Sequence, residues 1–185
     1  MTDWFGNLAM YIVMITVFVG FANVVLRYVG RFIGVRLTSN LVIELQWYLY
    51  SLIFFFGFAY ILKHGINVRV DFWYAEQSRK RKAWIDIIGH LVSLIPFALL
   101  ALWVTYTPVL TSWGLRPNGE WGNWEMSPDP NGLPRAPIKS MIIFAFLTLL
   151  LQGISELIKL IAIVRDKEKE LGTAVEELQA PIRIE

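Results

Sequence analysis

Four long apolar blocks, separated by polar connections, organise this chain. The first is uncharged from Trp4 to Leu26, the second from Leu45 to Leu62. The third runs from Ala83 to Tyr106 with Asp86 as its one charge. The fourth runs from Lys139 to Val164; its uncharged stretch, Ser140 to Ser155, is followed by Glu156 and Lys159. A helix needs roughly 20 residues to cross a hydrocarbon core of about 30 Å, at about 1.5 Å per residue. The pattern therefore predicts an all-α integral membrane protein with four transmembrane helices. Their expected bounds are 4–27, 41–62, 83–107 and 139–164, in one membrane domain over residues 1–185 that ends in a charged tail, 165–185. The fourth span is the shortest in uncharged length, and tilt or snorkelling would accommodate its charges. Pro96, in the middle of the third, is expected to bend it.

The connections differ in kind. Residues 27–40 alternate arginines with apolar side chains, which suits a short interfacial helix between the first two spans. Residues 63–82 are strongly basic. Residues 108–137 are rich in Gly, Pro and Trp. The first block has no basic flank and no small-residue cleavage site, so it reads as a retained span rather than a signal peptide. Lysine and arginine counts orient the chain. The 63–82 connection and the C-terminal segment together hold eleven, the other two connections six. The richer side is expected to be cytoplasmic, with both termini. The tryptophan-rich connection then faces outward, where Trp113, Trp121 and Trp124 suit an aromatic belt or, with Glu125, a docking surface.

Composition narrows the chemistry. Hydrophobic residues make up 56% of the chain, against about 45–50% for soluble domains. Cysteine is absent, which removes disulfides, thiolate zinc sites and iron–sulfur clusters. The net charge is only +2, and no basic, aromatic-studded stripe points to nucleic acid. No nucleophile–base pair, phosphate loop or metal cluster stands out, so no catalytic activity is expected. The two histidines, His64 and His90, are the sole imidazoles a haem would find, and nothing else marks a porphyrin pocket; no cofactor is expected.

Polar or small residues recur at helical spacing on each span. The first span carries Thr16, Gly20, Asn23 and Arg27; the second Glu44, Trp47 and Ser51. The third carries Asp86, His90 and Ser93; the fourth Thr148, Gln152, Ser155 and Lys159, with Glu156 beside them. Such stripes suit helix–helix contact in lipid. Asn23, Arg27, Glu44, Asp86, His90, Gln152 and Glu156 are the candidate packing and ion-pairing residues. Arg27 and Glu44 are an expected ion pair across the first connection. The acids stand near span ends, within expected reach of water.

Several segments then match a known pattern. They are Asn23-Val24-Val25-Leu26-Arg27-Tyr28 closing the first span, and Ile43-Glu44-Leu45 opening the second. Next come Lys63-His64-Gly65-Ile66-Asn67-Val68-Arg69-Val70-Asp71, Glu125-Met126-Ser127 with Gly132-Leu133-Pro134 and Pro137-Ile138-Lys139, and Gln152-Gly153 with Glu156. In this order and span context the chain resembles the small permease subunit, DctQ type, of tripartite ATP-independent periplasmic (TRAP) transporters. The third segment has Asn67 where the family has histidine, and marks His64, Arg69 and Asp71 as family-motif residues. The resemblance implies a non-catalytic subunit in a bacterial inner membrane. Its implied partners are a large permease subunit, which moves organic acids or related solutes with a sodium gradient, and a periplasmic solute-binding protein. Membrane lipids are the remaining partner. The competing reading is an accessory subunit of a photosynthetic or respiratory membrane complex.

Overall fold

The structure, a computed structural model, describes residues 2–66, 71–74 and 76–167, with the backbone alone at Asp71 and Phe72. Its helices are α1 (Thr2–Ile33), α2 (Asn40–Lys63), α3 (Asp71–Tyr74), α4 (Arg79–Gly89), α5 (Ile95–Ser112) and α6 (Arg135–Val164). A π-helical turn, His90–Leu94, joins α4 to α5. Four helical runs, Thr2–Ile33, Asn40–Lys63, Arg79–Ser112 and Arg135–Val164, are long and apolar enough to cross a membrane. Among the described residues there is no strand, just two isolated bridges, Leu115 with Trp121 and Met126 with Pro134.

The sequence pattern thus finds its four spans, and the observed helices overrun the uncharged blocks. The expected interfacial helix between the first two spans does not form. Residues 27–33 continue α1 without a break, because arginines are good helix formers and their heads reach water from a helix end. The stop comes at Gly34, in the left-handed region with φ +71°, where the Val35 amide returns to the Gly30 carbonyl at 3.0 Å. That is a Schellman ending. The other long helices end alike, at Gly65, Gly114 and Asp166, all with positive φ. At Gly114 the amide bonds to Thr111 O and the Leu115 amide to Leu110 O.

Pro96 lies in the first turn of α5. In a regular α-helix its ring would crowd the carbonyl four residues back, and it has no N–H to offer. The turn before it opens to the wider π form, in which Ile95 N–H bonds to His90 O.

The chain divides into two compact units. The first holds residues 3–57 and 103–145. Its core is built on Phe5, Ile12, Val109, Ala136, Ile138 and Ala145, all buried. Phe5 stacks parallel to Phe56 with centroids 5.7 Å apart and meets Phe144 edge-on at 5.4 Å. Gly20 lets α1 and α2 approach: a Cβ there would lie 2.6 Å from Gln46 Nε2. The second unit holds Thr2, residues 58–102 and the chain from 146 onward. There Ala83 and Ile87 of α4 pack on Leu160 and Ile163 of α6. Gly153 lets α6 close on Leu94; a Cβ there would lie 2.7 Å from Leu94 Cδ2.

Large apolar side chains remain exposed along every span, among them Phe18, Phe21, Phe54, Val92, Trp103 and Ile158. A water-soluble monomer rarely leaves so much apolar surface open; lipid or partner helices cover such faces.

Candidate functional site

In the first unit the connection between α5 and α6 folds back onto the start of α2. Glu44, one turn into α2, is 3% exposed. Its carboxylate accepts hydrogen bonds from Ser127 Oγ and from the Leu133 amide. Ser127 Oγ in turn accepts from the Asp129 amide at 3.2 Å. Tyr48, one turn after Glu44, donates its hydroxyl to Pro134 O at 3.0 Å, and Asn40 Nδ2 donates to Pro130 O at 3.1 Å. Gly132 is small because it must be: a Cβ there would lie 2.4 Å from Ser127 Cβ and 2.8 Å from Glu44 Oε2.

A second clasp stands beside the first. Glu125 bonds the Lys139 ammonium in the second turn of α6. Ser112 Oγ, at the last residue of α5, donates to the same carboxylate oxygen, Glu125 Oε2, at 2.6 Å. These charge-assisted bonds are stronger than neutral ones. The Lys139 contact first, then Ser112, holds the Glu125 carboxyl below its ordinary value, and the Arg135 charge adds to it. The backbone joins in, since Arg135 N–H bonds to Glu125 O at 2.8 Å. Trp113 donates its indole N–H to Ser140 Oγ at 2.7 Å and meets Trp124 edge-on, centroids 4.7 Å apart. Trp113 is therefore a fixed anchor, while Trp121 and Trp124 are exposed.

These clasps bring together segments distant in sequence. Glu44 meets Ser127 and Leu133, 83 and 89 residues later. The expected Arg27–Glu44 ion pair is absent among the described residues. Arg27 is exposed, and the Glu44 carboxylate is taken by Ser127 and Leu133. Nor does water reach all the acids near span ends, since Glu44 and Glu156 are both buried. Asn23 lies with Arg27 along a groove at the α1–α2 turn.

In the second unit Gln152 and Glu156, one turn apart on α6, form a buried polar chain. Thr2 Oγ1 donates to Gln152 Oε1 at 2.9 Å, and Gln152 Nε2 donates to Glu156 Oε1 at 2.7 Å. Lys159 Nζ reaches the same oxygen at 3.2 Å, the two side chains being 12% and 2% exposed. Asp86 accepts from the Tyr74 hydroxyl at 2.6 Å, tying short α3 to α4. His90 Nδ1 is 2.7 Å from Asp86 O, and the His64 ring packs on Tyr60. Asp71 opens α3. Arg69 and most of the expected charged tail, residues 168–185, lie outside the described residues.

The sequence reading missed Thr2, Gln46, Tyr74, Ser112, Ser127 and Arg135. One signal was in view: Glu44, Glu125, Ser127, Leu133 and Lys139 all belong to the segments that carried the family resemblance. Chemically, the clasps fasten helix ends to a loop. Their carboxylates are occupied by hydroxyl, amide and ammonium donors, and neither presents a nucleophile with a base.

The family model for tripartite ATP-independent periplasmic transporters, DctQ component, matches residues 16–162. No curated relative and no solved structure matches the chain. Proteins of the matched family work with a large permease and a periplasmic binding protein. With four membrane-spanning helices and a match over most of its length, the chain belongs to the DctQ family: it is a multi-pass inner-membrane component of a TRAP transporter, not an enzyme.

Proposed function

We propose that this chain is the small membrane subunit of a sodium-coupled transporter for organic acids or related solutes. It packs against the large permease subunit and widens the stationary scaffold against which the substrate-carrying part moves. Both termini and the 63–82 connection face the cytoplasm, and the clasped outer loop faces the periplasm, on the side where a solute-binding protein docks. Trp121, Trp124 and Glu125 stand on that side.

The supporting observation is how little each span buries within its own chain. At most 22% of the residues in the apolar stretch of any span are buried. Lipid alone can cover such faces, but in lipid a helix gains specific partners through close packing rather than through the hydrophobic effect. Such close packing occurs within the chain at Gly20 and Gly153, against the ends of Gln46 and Leu94. Its buried carboxylates, Glu44 and Glu156, are held by groups of the chain itself, as expected of a scaffold rather than a solute path.

The test is purification of the tagged full chain from native membranes, followed by reconstitution. A protein of about twelve spans should copurify. Sodium-driven uptake of a labelled organic acid into proteoliposomes should require this chain, the large subunit and the binding protein together. Recovery with a photosynthetic or respiratory complex and no large permease would overturn the proposal. Orientation is tested separately. The chain has no cysteine, so single cysteines at exposed Asp129 and exposed Ser78 report on their own. An impermeant maleimide should label the first from the periplasm and the second only after permeabilisation.

A further inference from the structure

The turn between α1 and α2 encloses a groove of about 850 Å³, within the range of small-ligand sites. Arg27, Arg31 and Arg36 line it with Asn23, Asn40 and Asn131, and no acidic side chain does. Among the described residues, none of the three arginines has an ion-pair or hydrogen-bond partner. The Oδ1 atom of Asn23 is buried there without a partner. The N-terminus of α2, the positive end of its dipole, opens on the same groove at Asn40 and carries no acid in its first turn. Three guanidiniums, a helix N-terminus and no counter-charge make a place for an anion.

Depth and surroundings say which anion. The uncharged stretch Trp4–Leu26 is long enough to cross the hydrocarbon core, so Arg27 and the residues beyond it stand at headgroup level. Apolar side chains surround the arginines: Tyr28, Val29 and Val35 are exposed, and Phe32 is 90% exposed. A soluble phosphate has no use for that rim; acyl chains do. We infer that this groove binds the phosphate of an anionic phospholipid headgroup, with the chains lying against the exposed apolar face of α1. The guanidiniums grip the phosphate through paired N–H donors, and their uncompensated charge selects a net-negative lipid over a zwitterionic one. A lipid held here stands beside the loop clasped to Glu44, since Asn40 bonds Pro130 and both border the groove.

The experiment is native mass spectrometry of the full chain in neutral detergent, titrated with phosphatidylglycerol or phosphatidylcholine. Phosphatidylglycerol should bind at least about tenfold tighter, and each arginine removed should weaken it by about fivefold. Arg27→Gln/Arg31→Gln/Arg36→Gln should abolish the preference. Lys80→Gln/Arg81→Gln, which removes two cations that do not line the groove, should leave it. Arg36→Gln alone, on an exposed turn where folding is not at stake, should weaken binding by about fivefold and serves if the triple variant does not fold. A hundredfold excess of inorganic phosphate should not displace the lipid. The inference is overturned by equal binding of the two lipids, by retention of the preference in the arginine variants, or by displacement with inorganic phosphate. It is also overturned if the arginine variants lose an acidic protein partner while lipid binding is unchanged.

Discussion

Gly114 is the residue on which the loop between α5 and α6 turns, and replacing it by alanine tests the architecture of that loop. Its φ of +102° is a conformation that L-residues rarely adopt, at a cost of about 1–3 kcal/mol. Space is also lacking. An alanine Cβ would lie 2.4 Å from Gly122 O and 2.9 Å from Gly122 C, well inside the contact distance of about 3.5 Å for carbon. Both neighbours are backbone atoms of a strand-like return held by the Gly122 N–H to Gly114 O bond of 2.7 Å, so neither can rotate aside. Overpacking of this kind costs about 1–3 kcal/mol more. The expected destabilisation is about 2–6 kcal/mol, which for a chain of this size lowers the thermal midpoint by about 4–24 °C. Gly119 is the internal control. It also has positive φ, +81°, but open space where a Cβ would go, so Gly119→Ala carries the backbone cost alone. Thermal unfolding in one detergent, followed by tryptophan emission, compares the two. Gly114→Ala should lower the midpoint at least about twice as far as Gly119→Ala. Equal shifts, or a Gly114→Ala shift under about 2 °C, would mean that the two loop segments are not in contact and would refute the reasoning.

Two further outcomes follow from the ion pairs. Lys159→Ala leaves the buried Glu156 carboxylate without its cation and should destabilise by about 3–5 kcal/mol, with Glu156→Gln in the same chain recovering much of it; a double variant no more stable than Lys159→Ala would remove the pairing from the account. Glu125 is held ionised by Lys139 and Ser112, so its folded-state value is the lower one and its contribution is present above the ordinary carboxylate value of about 4.3. That contribution fades as the pH falls through the lowered value, and half-exposure of both partners keeps it small. Thermal midpoints of the wild type and Glu125→Gln should therefore differ at pH 7 and converge in acid; a difference that grows below pH ~4 contradicts the assignment.

The four spans were legible because apolar blocks of span length admit few other structures. Their ends were not. Arg27 and Arg31 look like the start of a loop when charge alone is read, yet the helix runs on until Gly34 supplies the left-handed residue that ends it. Gln152 and Lys159 were visible on the polar stripe of the fourth span, with Glu156 beside them, because helical spacing is local. Thr2, the partner of Gln152 from 150 residues away, was not, because spacing says nothing about which helix end lies opposite. Glu44 shows the limit most clearly. The charged partner its place at a span end suggested was Arg27. Its actual donors are a serine hydroxyl and a backbone amide, presented by a Pro- and Gly-rich loop whose path no periodicity encodes. The π turn before Pro96 was half legible: the proline announced a disturbance, and the backbone absorbed it by widening the preceding turn.

The unbroken length of α1 has a mechanical consequence. Its 32 residues extend about 48 Å, against a hydrocarbon core of about 30 Å. A span matches bilayers of different thickness chiefly by tilting, and a joint at the interface would absorb that tilt locally. Here there is no joint between Trp4 and Ile33, so the turns bearing Arg27 and Arg31 swing with the span as the end of a stiff lever. The thickness of the surrounding lipid is thereby converted into a displacement of one wall of the arginine groove.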